Sequence, residues 1–255
     1  MLTGILILAL VTFITVISYR RRRLEEKLIK QIPVIDWLLM FVFPITFYLG
    51  LLMIVRNILL RERIDILDFE DSQLLGAGIF FMIYAFVGVS VHFVAKVLSR
   101  YIRPDKKSKA YQVNEIFHGK LSHYITFACS FMVIFILALF EINYPLPDML
   151  SGFDIAVLSG AGILAGFSAF KGIFYTHEWI GGHNKPFFLI SLVFLVILGG
   201  ILSGDRLIIG YYPMNIFILA LLFTVVSIYI VRRFQFFSRL SRRGRLRFIS
   251  RLFSV

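Results

Sequence analysis

Five histidines carry most of the chemical potential of this chain: His92, His118, His123, His177 and His183. Imidazole titrates near neutrality, binds metals readily and is a common axial ligand of haem iron. Glu115 and Glu178 lie close by in sequence, and a carboxylate beside an imidazole is a pairing that can act as general acid and base, for instance on a lipid headgroup. The chemistry to weigh is therefore redox, metal binding or proton transfer, against plain hydrogen bonding between helices.

His92 is the only one of the five set well inside an apolar run, and Gly88 precedes it by one turn on the same face. A missing side chain there would admit a flat macrocycle, and His123 would serve as second axial ligand in an arrangement of the haem b type. The competing expectation is that His92 ties two helices together. His118 and His123 are five residues apart, which on a regular helix turns them about 140° from one another, so they do not chelate one metal from a regular helix. His177, Glu178 and His183 share a short connection with Gly181 and Gly182 and could close on a metal with His118 or His123. Neither a zinc-ligand spacing nor a metalloprotease box is present, and no motif specifies a cofactor.

The elements that must position these groups are membrane spans. The chain has 255 residues, 59% hydrophobic and 16% charged, well above the ~45–50% apolar share of soluble domains. A span needs about 20 apolar residues, and such runs occur near 2–18, 36–56, 73–97, 123–141, 154–175, 187–204 and 214–231. The expected fold class is all-α: a polytopic seven-helix transmembrane bundle over 1–231, followed by a basic amphipathic tail over 232–255. All but four of the 27 lysines and arginines fall on one side of this threading, the exceptions being Arg56, Arg61, Arg63 and Arg206. Basic residues concentrate in cytoplasmic connections, which predicts an outside N-terminus, a cytoplasmic C-terminus and all five histidines towards the cytoplasm. A plasma (inner) membrane location is the expected one.

Individual spans carry further signals. Pro44 predicts a kink in the second span. Gly162, Gly166 and Gly172 in the fifth allow another helix to approach closely. The connection holding Glu62, Asp65, Asp68, Glu70 and Asp71 alternates with Ile64, Ile66, Leu67 and Phe69, which suggests a short amphipathic segment along the outer surface. Tyr211 and Tyr212 suit an interfacial aromatic belt, and the single Cys129 reads as a packing residue. In the tail, Arg239, Arg242, Arg243, Arg245, Arg247 and Arg251 alternate with apolar residues and no acid. Such a segment suits anionic lipids at the cytoplasmic face of the lipid bilayer, or a protein partner in a membrane complex; nucleic acid is disfavoured for a tether rich in phenylalanine.

Partial likenesses to known families fail on chemistry. Val157-Leu158-Ser159-Gly160 resembles the rhomboid protease nucleophile motif, but the preceding glycine is missing and every histidine lies at the opposite face, out of reach as a base. Ser99-Arg100-Tyr101 distantly resembles the motif of G-protein-coupled receptors without its acidic residue. The last span holds no lysine for a retinal Schiff base. The expectation is a non-catalytic membrane-embedded subunit, or a carrier of a small solute or lipid. The alternative is a membrane redox enzyme or a metal-dependent lipid-acting enzyme using the histidines.

Overall fold

The computed structural model describes residues 1–19, 22–102, 107–175 and 185–241. Among these, seven helices are long and apolar enough to cross a membrane. In hydrocarbon every backbone N–H and C=O must be satisfied within the segment, which leaves a long apolar run little choice but helix. The helices are α1 (Leu2–Tyr19), α2 (Val34–Leu59), α3 (Asp71–Ile102), α4 (Lys109–Ile142), α5 (Gly152–Tyr175), α6 (Lys185–Gly204) and α7 (Pro213–Arg239).

Two boundaries differ from the hydropathy reading in ways that matter. Helix α3 runs on to Ile102, so His92 lies roughly 15 Å from its end at 1.5 Å per residue, deeper than the apolar run alone implies. Helix α7 continues to Arg239, because the arginines past Val231 are good helix formers with nothing to stop them. Arg233 donates to the Tyr229 hydroxyl one turn back at 3.1 Å.

Two helices each contain one wide, π-helical turn: Leu38–Val42 in α2 and Ile116–Leu121 in α4. The first precedes Pro44, whose ring nitrogen has no hydrogen to give the preceding turn, and a widened turn is a standard way to absorb that loss. The Thr46 hydroxyl donates to the Val42 carbonyl at 2.7 Å. Between α1 and α2, a hairpin pairs Leu28–Ile29 with Ile32–Pro33. Its turn residues, Lys30 and Gln31, both have positive φ, as a tight two-residue hairpin requires.

Helix α1 packs on α2 and α5, α3 lies along α4, and α7 packs on α5, α6 and α4. The α5–α7 contact is close because a side chain at Gly162 would overlap the Phe217 carbonyl and come within 2.7 Å of Ala220 Cβ. At Gly166 it would stand 2.5 Å from the Leu221 carbonyl. Gly172 is different, with the Phe127 ring at 3.4 Å and Val16 at 3.8 Å, ordinary contact distances. Helix α3 meets α2 chiefly through the π turn of α2, which leaves a seam between the two further along.

The connection between α2 and α3 lies on the surface with its acidic residues exposed and Ile66 and Leu67 against the core, but it is neither helix nor strand. It is an irregular strap folded around Asn143, which is 1% exposed. The Asn143 carboxamide accepts from the Ile66 and Leu67 amides at 3.2 and 2.7 Å and donates to the Leu67 carbonyl at 2.9 Å. Its main-chain carbonyl takes the Ile64 amide at 2.8 Å. Four bonding groups are met by one residue, and that fixes the path of the strap without helix or strand. The Tyr144 hydroxyl next to it donates to Asp71. Burial, with the Asp71 carboxylate, pushes the Tyr144 phenol up to about 12. Tyr212 is buried at 3% exposure and so is no belt residue; burial and nearby Glu141 raise its phenol as well.

Candidate functional site

The π turn of α4 decides the geometry of the histidines. On a regular helix His118 and His123 would diverge, but a turn closed from i to i+5 takes one more residue to come round and brings them towards one side. Their ring centroids are 6.2 Å apart, and each lies 4.7 Å from the ring of His92 on α3. The earlier expectation of divergence is thus corrected, because the helix is not regular there. The His123 Nδ1 donates to the Gly119 carbonyl at 2.9 Å, and the Glu115 carboxylate stands 3.9 Å from His118 Nδ1. Buried Asn114 donates across to the Ala95 carbonyl of α3 at 2.8 Å. His92 Nδ1 is sealed from solvent and makes no hydrogen bond of ordinary geometry, and the His118 main chain stands beside the ring.

His92 and His123 line one end of a cavity of about 340 Å³ that extends between α1, α2, α3, α4, α5 and α7. Its walls are apolar: Leu8 and Val11, Phe43 and Phe47, Met82 and Phe131 are representative. At the seam, Pro44 and Phe47 of α2 face Phe86 and Val89 of α3 across it. Phe86 is exposed at this seam. Gly172 and Ala169 complete the wall from α5.

The haem expectation does not fit this arrangement. The space beside Gly88 is filled, since a side chain there would overlap the Thr126 hydroxyl and stand 2.8 Å from the Thr126 amide. His92 and His123 are in direct ring contact with no plane left between them for a macrocycle. Gly88 therefore serves the close contact of α3 with α4. Among the described residues, no three His, Cys, Asp or Glu side chains converge as a metal site. His177, Glu178 and His183 lie outside the described residues, as do Arg242, Arg243, Arg245, Arg247 and Arg251. Arg239 is the exposed end of α7, and Cys129 is a half-buried free thiol.

Two charged clusters went unread in the sequence. Near the histidines, buried Asp36 of α2 receives Lys96 at 2.6 Å and Arg100 at 2.9 Å, both from α3. Arg100 also donates to the Gln31 carbonyl of the hairpin at 3.1 Å. At the opposite end of the bundle, Glu141 of α4 is fully buried and pairs with Arg61, just past α2, at 3.1 Å. Its second oxygen accepts from the backbone and side-chain nitrogens of Asn215 in α7 at 3.0 and 3.2 Å. Arg61 also donates to the Tyr144 carbonyl at 2.8 Å and touches Met1 Sδ. Ionisable groups inside apolar runs are costly and seek partners, which was the available signal for Asp36 and Glu141. Both clusters join helices and neither lines the cavity.

Compared with protein-family models, curated proteins and solved structures, the chain finds no match.

Proposed function

We propose that this protein is a non-catalytic membrane component that binds one lipid-like amphiphile in the cavity between α2 and α3, as a carrier or as a ligand-holding subunit of a membrane complex. The observation that carries this reading is an apolar cavity closed at one end by imidazoles. Ligand sites are typically apolar chambers of ~300–1,000 Å³ with a few convergent polar groups, and this one stands at the small end, suited to a single chain or ring system. The test is photocrosslinking of the purified full-length chain with an alkyl probe bearing a diazirine. Adducts are expected on Phe47, Phe86 or Phe131, and Ala169→Trp, which fills the cavity from α5, should reduce them to background while the protein stays folded. Equal labelling of the two proteins, or labelling confined to lipid-facing positions, would remove the reading.

The chain is proposed to sit in a plasma membrane with its histidine end towards the cytoplasm, on the charge asymmetry of its connections. The arginines past α7 are proposed to engage anionic lipid, each contributing roughly 1 kcal/mol near the surface. Reporter tags at 104–112 and after Val255 should read cytoplasmic and a tag at 143–150 external. A chain ending at Arg239 should keep that orientation and bind anionic vesicles more weakly. A cytoplasmic reading at 143–150 would reverse the topology, and undiminished vesicle binding would exclude the tail.

A further inference from the structure

We infer that the ligand's polar end is a hydroxyl group, received by His123 and His92; this rests on the ligand-binding reading above and specifies its chemistry. A carbonyl oxygen can only accept, so the contact of His123 Nδ1 with the Gly119 carbonyl places the ring proton on Nδ1. The Nε2 of His123 is then a lone-pair acceptor, and His123 lines the cavity. His92 is also in the lining; its Nδ1 is sealed off, so Nε2 is the nitrogen it can turn to a ligand. Three of the hydroxyls in the lining are already spent on their own helices. Thr12, Thr15 and Ser168 donate to the carbonyls of Leu8, Val11 and Leu164 on their own helices, at 2.7, 2.6 and 2.8 Å.

The two rings therefore present one fixed acceptor and one nitrogen whose role follows its tautomer. A hydroxyl matches both, because it donates one hydrogen and accepts through two lone pairs. It can give its hydrogen to His123 Nε2 and accept from His92 when that nitrogen is protonated. Ketone, ester and ether oxygens only accept and leave His123 unmet. A carboxylate or phosphate also accepts only, and would bring a charge into an apolar chamber at high desolvation cost. The assigned ligand class is thus a neutral long-chain or isoprenoid-type alcohol, its body along the seam and its hydroxyl at the histidine end.

The experiment compares dodecanol, dodecyl methyl ether and dodecane as competitors of the photoreactive alkyl probe, with the full-length protein in lipid nanodiscs. Dodecanol is expected to compete about tenfold better than the ether, the effect of one unmet polar pairing. His123→Phe should bring dodecanol down to the level of the ether while leaving ether and dodecane unchanged, which also reports that the cavity is intact, whereas His92→Phe should weaken dodecanol and the ether alike and leave dodecane unchanged. Equal competition by alcohol and ether on the unsubstituted protein would overturn the hydroxyl assignment and leave the cavity as a site for apolar chains. Failure of all three to compete would overturn the assignment together with the ligand-binding reading. The comparison on the unsubstituted protein stands whether or not either variant folds.

Discussion

Replacing Glu141 with alanine is expected to destabilise the protein by roughly 3–5 kcal/mol, the range for removing one partner of a buried ion pair. Glu141 is 0% exposed and the Arg61 side chain 6%, so the guanidinium left behind has little water to turn to. The Asn215 amide and carboxamide would lose their shared acceptor at the same time. Glu141→Gln keeps an acceptor for Asn215 and should cost less, and joining Arg61→Met to Glu141→Ala should recover part of the loss because no charge is then stranded. Unfolding of the detergent-solubilised protein measures all three. A single-variant cost within about 0.5 kcal/mol, as for an ordinary surface change, would show that the cluster is solvated and does not join α2, α4 and α7.

Gly162→Ala should invert the usual helix rule. Alanine in place of glycine inside a helix normally gains up to about 1 kcal/mol, and Gly160, with nothing within 4 Å of a would-be Cβ, should show that gain. At Gly162 the new methyl group meets the Phe217 carbonyl, a backbone atom that cannot swing aside. The cost of such overpacking is about 1–3 kcal/mol. Gly166→Ala meets the Leu221 carbonyl one turn on, and because both substitutions push the same pair of helices apart, the double variant should fall short of their sum. The measurement is again unfolding, with Gly160→Ala as internal reference. If all three glycines gain stability on substitution, α5 and α7 do not approach as described.

Some of this was legible in the chain and some was not, for reasons that differ residue by residue. The seven spans could be read because lipid demands a run of about 20 apolar residues, a signal longer than any local accident. The π turn at Ile116–Leu121 could not, since Ile, Phe, His, Gly, Lys and Leu suit an α-helix nearly as well and one extra residue per turn leaves no mark on composition. That single turn reverses the conclusion about His118 and His123. Gly88 was ambiguous in a different way, because a missing side chain signals close approach without saying of what; the answer, Thr126, lies on another helix. Lys96 entered only the count of basic residues that sets sidedness, and Asp36 went unread. That they meet each other depends on how α2 lies against α3, which periodicity does not carry.

Helix α2 is held at both ends, by Asp36 to Lys96 and Arg100 at one and by Arg61 to Glu141 at the other. Between those anchors it contains a π turn and Pro44, the two commonest weak points of a helix. In mechanical terms it is a beam pinned at its supports and thinned along its length. Rigid rocking, the motion of alternating-access carriers, would break an ion pair at one support or the other. Bowing breaks neither. The low-cost deformation of the bundle is therefore one that widens and narrows the seam beside α3 while both ends stay shut, so exchange with the cavity runs sideways through the bilayer, and occupancy follows the ligand's mole fraction in the membrane more than its concentration in water.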